Sequence, residues 1–484
     1  MTTKHIILAV GMLLSVTACD KVLDVTPKGN YTTATYWRTQ SDAVNGITGI
    51  YNILLEEDFT GHAEFTFDIC SDDEYRAGDH SEDVAIENFT YDASNAQVRF
   101  SWRWKYEMIN RSNNALIYIP KIEKMDEDIR NRSLGEAHFL RAFAYWRLML
   151  IYGEVPVITE DDVLASSYNH PKVSADSLRG MIQTDLLAAA DLLPDTYGAN
   201  DKGRVTKGTA WGFLCKLYMN WEKLDQALIY GEKVTTSANY KLASTYLENF
   251  TPATSNNDEM LFAVQTSDTW GYSDFTTYHT PREWGGWNFH QPLQTLVDEF
   301  ETGDARKAVS VMGAGDKVDI GTEIATYSAS MSETGYHFRK FSSWKSNGGL
   351  NYSLKTPLLR TADIMLLVAE AKIRTQGAGA GDAEINQVRK RAGLAEVSGA
   401  GMPALMHERR CELSGENERH QDLIRWDKAK LIDITTYYNK PKYGKNGNIL
   451  VAARTFVRPK HYYFPLPQSE IDKSNGVLIQ NENY

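Results

Sequence analysis

Trp211-Gly212-Phe213-Leu214-Cys215-Lys216-Leu217-Tyr218, followed by Ala227, is the stretch on which the fold turns. Trp211, Leu214 and Tyr218 recur at the spacing that puts side chains on one helix face, and Ala227 is a small residue on the helix that follows. This is the tetratricopeptide spacing, in which one helix packs a large, a medium and a small residue against its partner. Two positions depart from it. Cys215 replaces the usual Gly or Ala, and Gly231 stands where an aromatic is expected.

Upstream, Ser174–Leu193 reads as an amphipathic helix. Ser133–Tyr152 carries Ala137, Leu140, Ala144, Leu148 and Ile151 in one stripe and Phe139, Phe143, Trp146 and Leu150 in a second, which predicts a buried helix ended by Gly153 and Pro156. Trp102–Ile119 is read as another helix, and Tyr31–Leu54 as the first, with Asp42 ahead of the run Ala43, Val44, Ile47, Ile50, Tyr51 and Leu54. Downstream, Thr361–Thr375 and Asp382–Ala392, joined by a Gly-Ala run over 377–381, form a second and looser hairpin, and Met402–Ser414 adds a helix. Residues 56–100 lose the helical period and read as loops. Residues 250–355, rich in Gly, Trp and Tyr, are the natural insertion between hairpins, so the fold class is mainly α with an irregular, aromatic-rich insertion.

The chain has 484 residues, 42% of them hydrophobic, which supports a substantial core; its formal net charge of -12 opposes binding to nucleic acid. At the N-terminus, Lys4 precedes an apolar run over 6–14 that is short of the roughly 20 residues a spanning helix needs. Val16-Thr17-Ala18-Cys19 then resembles a lipobox. Residues 1–18 are therefore read as a lipoprotein signal peptide, and Cys19 as the acylated first residue of the mature chain, 19–484, with more than one acyl chain giving a stable membrane anchor. The alternative is an ordinary secretory signal ending near Ala18. Cys70, Cys215 and Cys411 are odd in number and widely spaced, so no disulfide framework is expected.

Three blocks together resemble the SusD/RagB family. The first is Tyr36-Trp37-Arg38-Thr39, Asp42-Ala43 and Gly49-Ile50-Tyr51. The second is Gly135-Glu136-Ala137-His138-Phe139-Leu140-Arg141-Ala142, running to Tyr152-Gly153-Glu154-Val155-Pro156. The third holds Glu408-Arg409-Arg410, Glu412-Leu413, Glu416, Arg419, Asp422-Leu423 and Arg425-Trp426, then Tyr463-Phe464-Pro465-Leu466-Pro467 and Glu470-Ile471. The resemblance implies an α-α superhelix of four tetratricopeptide-like pairs carrying an irregular ligand-binding region. It also implies a location on the outer membrane, held by the lipid anchor at the cell surface, and a SusC-like TonB-dependent transporter as partner. The insertion is compact here, which puts in doubt binding loops known in larger relatives.

Glu408, Glu412 and Glu416 share a helix face, and Arg409, Arg419 and Arg425 can pair with such carboxylates, so the third block is read as a structural ion network. His407-Glu408 begins like a zinc-protease helix, but Cys411 occupies the second histidine position and no metal is implied. The run Asp72–Asp79 lacks the carboxylate pattern of an EF-hand and is read as a solvated acidic loop, with a structural calcium left open. No motif for acyl or phosphoryl transfer is present, and no cofactor is implied. With 63 acidic residues, carboxylate pairs are too plentiful to signal a glycosidase.

Trp270, Tyr272, Phe275, Tyr278, Trp284, Trp287 and Phe289 place seven aromatics in twenty residues, interleaved with Gly271, Gly285 and Gly286, against 11% aromatic overall. A sugar offers an apolar C–H face and a rim of hydroxyls, which aromatic planes and a few polar groups can match. Trp270, Tyr272, Tyr278, Trp284 and Trp287 are the candidate ligand rings, and Asp73, Arg76, Arg282 and Asn288 the candidate hydroxyl partners. The competing reading packs these rings as local core. The expected function is non-catalytic capture of an oligosaccharide or other nutrient for the transporter. A tetratricopeptide scaffold for a protein partner and a glycoside hydrolase are the alternatives, and peptide remains open as ligand.

Overall fold

The structure, a computed structural model, describes residues 36–61, 67–269, 271 and 273–484. The leader, Cys19, Trp270 and Tyr272 lie outside the described residues. The main helices are α1 Gln40–Tyr51, α2 Ala96–Tyr118, α3 Glu127–Tyr152, α4 Ala175–Leu192, α5 Lys207–Asn220, α6 Leu224–Thr235, α7 Thr361–Gln376, α8 Asp382–Arg391, α9 Met402–Glu412 and α10 Arg419–Lys428. The strands that matter for the site are β1 Glu74–Arg76, β2 Met260–Val264, β3 His290–Pro292 and β4 Thr356–Arg360. From α1 to α9, each helix packs on the next, the nearest-neighbour stacking of a helical solenoid. The mainly α fold stands.

Helix ends follow capping chemistry. The α1 N-cap is Thr39: its hydroxyl accepts from the Asp42 N–H, and the Asp42 carboxylate accepts the Thr39 N–H at 2.8 Å. Asp42 thus sits within the first turn, and α1 runs Gln40–Tyr51 where the sequence pattern predicts a helix from Tyr31 to Leu54; residues 31–35 lie outside the described residues. Asp126 caps α3 and Ser174 caps α4. The described part of 56–100 holds more regular structure than its sequence suggests: β1, a helix over Ser81–Glu87 and the first turn of α2, capped by Asn95. The period was hidden because α2 buries Gln97, Ser101 and Lys105 as well as Val98 and Trp102, so its inner face is not apolar.

The second block explains how α3 is held. His138 Nδ1 lies 2.7 Å from Asp185 of α4, Arg141 donates Nε to the same carboxylate at 2.8 Å, and Arg141 Nη1 donates to Asn113 Oδ1 of α2 at 2.6 Å. Arg204 donates to the buried Glu136 at 3.1 Å, and Tyr51 of α1 donates to it as well. Polar residues on an otherwise apolar helix therefore tie it to three neighbours. The last block closes on α3, with the Phe464 N–H donating to Ile151 O at 2.7 Å.

Gly231 has a steric reason. A Cβ there would lie 2.4 Å from Val368 Cγ2 on α7 and 3.1 Å from Cys215 Sγ on α5, so α6 wedges between both partners only without a side chain. Helices α6 and α7 pack directly although residues 236–360 separate them in sequence. That excursion leaves and returns through β2 and β4, an antiparallel pair with Met260 opposite Arg360 and Val264 opposite Thr356. It contains its own apolar clusters, one built on Phe250, Phe275, Leu296, Phe338 and Phe341 and reaching Cys411 of α9. Cys70, Cys215 and Cys411 are free and buried. No described helix is long and apolar enough to cross a membrane.

Candidate functional site

Two separated segments meet because β1 pairs antiparallel with β3, Tyr75 opposite Gln291 and Arg76 opposite His290. The contact continues past the strands, where the Ala77 N–H donates to Phe289 O at 2.9 Å. Beside it, a short helix over Phe275–His279 runs alongside the backbone of 287–289: the Trp287 N–H donates to Thr277 O at 2.7 Å and the Phe289 N–H to Tyr278 O at 2.8 Å. The tight loop between them needs glycine. At Gly286 a Cβ would fall 2.0 Å from Thr280 O.

This loop presents Trp287 to solvent, the residue 41% exposed. Beneath it lie the buried rings of Tyr278 and Phe289, with centroids 5.3 and 5.7 Å from the indole, and these two are stacked on each other at 5.7 Å. Arg76 Cζ sits 3.9 Å over the Phe289 ring, and the His80 ring packs 5.1 Å from it. Gly78, Asp79 and His80 form an exposed loop on this side, running into the helix at Ser81, and Arg282 and Glu283 are exposed on the other.

Of the remaining sequence-predicted residues, Arg282 lies beside Trp287 and the other described ones are buried or half-buried. Asp73 is buried with Arg410 Nε 2.6 Å away, and Arg76 is buried against Asp83, its Nε donating at 2.7 Å. Neither is on the surface: of the run read as a solvated acidic loop, Asp73, Glu74 and Arg76 are buried, Glu74–Arg76 forming β1, and only its end, Gly78 and Asp79, is exposed. Charges become internal here because α9 and the Ser81–Glu87 helix bring their partners. Tyr278 is fully buried, its hydroxyl donating to Glu57, and it serves as backing for Trp287. Asn288 is also inside: its Oδ1 accepts from Gln291 Nε2 at 2.9 Å and from His337 Nε2. Burial holds His337 well down, at about 3, so the ring is neutral; with Nε2 donating, its Nδ1 accepts from the Tyr327 hydroxyl at 2.7 Å. Trp284 is half-buried in a separate cluster, 5.9 Å from both Tyr327 and Trp344. Arg282 is exposed and donates Nε to Trp287 O at 3.3 Å. Gly78 and Asp79, the end of the run read as a solvated loop, are exposed, and His80 beside Phe289 had no local signal in the sequence.

The charged third block forms ion pairs in the interior, and its three glutamates take their partners from outside the block. Glu408 meets Arg306 at 2.6 Å and Arg389 at 3.1 Å; Glu416 meets Lys340 at 2.7 Å and Arg360 at 2.8 Å. Glu412 lies among Arg306, Arg360 and Arg391. Burial pushes its carboxyl up, but Arg391, Arg360 and Arg306 outweigh that and hold it at about 2. Within the block, Arg409 and Arg425 both pair with Asp422; outside it, Arg409 meets Asp363, Arg419 meets Asp72, and Arg425 meets Glu370. His407 sits between Glu299 and Glu301.

The chain matches two family models, "SusD family" over residues 317–484 and "Starch-binding associating with outer membrane" over residues 22–219. A SusD-like protein, P25 of Formosa agariphila, is 23% identical over 533 residues, spanning 100% of this chain and 99% of the relative. Among solved structures, a laminarin-binding SusD-like protein superposes with a TM-score of 0.75 at 25% identity, covering 93% of this chain and 100% of the other. Surface glycan-binding protein A from Bacteroides thetaiotaomicron, in complex with laminarihexaose, does so with 0.76 at 22% identity, covering 92% and 99%. Two models that meet opposite ends of one helical solenoid, with relatives aligned along its full length, make this chain a member of the SusD/RagB family.

Proposed function

We propose that the protein is a non-catalytic glycan-binding lipoprotein of the outer membrane, in which Trp287 is the platform for a sugar ring. The carrying observation is the indole itself, exposed on a glycine-shaped loop and stiffened from below by Tyr278 and Phe289. A solvent-facing ring held in place loses little entropy when a pyranose C–H face covers it. The exposed groups of Asp79, His80, Arg282 and Glu283 flank it and can meet hydroxyls. A fold shared with a laminarin-binding relative supports this reading, as does the family description that names starch binding and the outer membrane.

Capture without turnover agrees with the fate of the acidic residues in the third block, which are spent in internal ion pairs. Cys19 supplies the membrane attachment, and a SusC-like TonB-dependent transporter receives the ligand. The test is to screen purified protein against neutral and acidic polysaccharides by affinity electrophoresis, then incubate it with each one retained. Retention of at least one glycan with no new reducing ends is the expected result. Steady release of shorter sugars would move the reading to a hydrolase, and retention of none would remove the glycan function.

A further inference from the structure

A second concave surface lies on the helical scaffold, an open groove of ≈ 1110 Å³ floored by α2. One wall is the chain after the helix Glu160–Ala165, the other the helix Gln468–Lys473, and no lining residue comes from the insertion that holds Trp287. Its volume slightly exceeds the roughly 300–1,000 Å³ of small-ligand pockets, room for an oligosaccharide.

The groove has a defined shape. Tyr106 donates its hydroxyl to Pro156 O at 2.7 Å, and its ring lies 4.7 Å from Trp102. Asn169 Nδ2 donates to Ser474 O at 3.0 Å and ties the two walls together. Tyr168 stands 54% exposed at the rim, two residues after Ser166, whose backbone turns through the left-handed region at φ 53. Phe100 adds a further half-buried ring.

The charge facing this groove is positive, on a chain whose net charge is -12. Arg99 and Arg103 stand one turn apart on α2, both exposed, and among the described residues no carboxylate pairs with either. The two carboxylates in the lining are already engaged, Glu107 with Arg111 at 2.7 Å and Glu470 with Lys473 at 2.8 Å. Guanidinium forks bind carboxylate and sulfate in two-point contacts, and the rings beside them suit sugar faces.

We propose that this groove is a second oligosaccharide site, for a chain bearing carboxylate or sulfate groups that Arg99 and Arg103 bind while Tyr106 and Tyr168 contact its rings. The proposal rests on the protein being a glycan binder. The test is an array of laminarihexaose and other neutral oligosaccharides, oligogalacturonides and sulfated oligosaccharides, probed with wild type, Trp287→Ala and the triple variant Arg99→Ala/Arg103→Ala/Tyr168→Ala. All three changed groove residues are exposed, and thermal unfolding verifies the fold of each variant. Acidic oligosaccharides should bind wild type and Trp287→Ala alike, weaken with added salt, and lose at least tenfold in affinity to the triple variant; the oligogalacturonide and sulfate arms tell which acid is read. Absence of acidic ligands, or acidic binding lost with Trp287 and kept in the triple variant, would overturn the groove while leaving neutral capture at Trp287 intact. A wild type that binds nothing on the array would overturn both readings.

Discussion

Affinity and stability separate at Trp287, because the ring is exposed while the rings under it are not. Trp287→Ala should weaken binding of a retained glycan by about 1–3 kcal/mol, by analogy with aromatic stacking on bases, with little change in Tm. Tyr278→Ala should instead lower Tm, since removing a buried aromatic ring costs about 3–5 kcal/mol. Calorimetry beside thermal unfolding distinguishes them; a Trp287→Ala variant with unchanged affinity would place the sugar elsewhere. Glu412 is the reverse case, a residue with no access to ligand. Glu412→Gln leaves Arg306, Arg360 and Arg391 short of a buried counter-charge, so denaturant unfolding should show a loss of about 3–5 kcal/mol, typical of a broken buried pair.

At the scale of elements, the packing of α5, α6 and α7 depends on Gly231. Gly231→Ala introduces a Cβ where Val368 Cγ2 already sits, and overpacking of this kind costs about 1–3 kcal/mol. The double variant Gly231→Ala/Val368→Ala should recover part of that loss. If Gly231→Ala alone leaves Tm unchanged, the helices are less tightly wedged than the structure shows. The position also explains the departure from the repeat pattern: the aromatic expected at that point has no room, because α7 arrives from beyond the insertion.

For the whole molecule, the interior ion pairs set the response to acid. The folded carboxyl of Glu412 lies near 2, below its ordinary value, and Asp363, Asp422 and Asp72 are also lowered. Groups depressed in the folded state stabilise it above their unfolded pKa of about 4 and lose that contribution as pH falls through the folded value. Tm should therefore decline as pH is taken from about 4.5 towards 2, and a flat profile across that window would contradict the network. Membrane attachment is a separate matter of the N-terminus. Cys19→Ala should leave the folded body unchanged in Tm but absent from the membrane fraction, and wild type without palmitate label would end the lipoprotein reading.

Residues 211–227 and the double stripe of 133–152 determined the helical class, because helix formation and burial leave a local periodic trace that a packed solenoid repeats. The insertion announced itself by composition and by the loss of that trace. Which of its rings faces water was not legible: Tyr278, Trp284 and Trp287 have the same chemistry, and only the antiparallel meeting of β1 and β3 with the loop over 281–286 buries the first, half-buries the second and exposes the third. Ion partners were equally hidden. Glu412 and Arg409 lie close in sequence, yet Glu412 turns to Arg306, Arg360 and Arg391 and Arg409 to Asp363 as well as Asp422, because salt bridges are chosen by distance in space and by the cost of leaving a buried charge unmatched, and both are decided only when the helices dock.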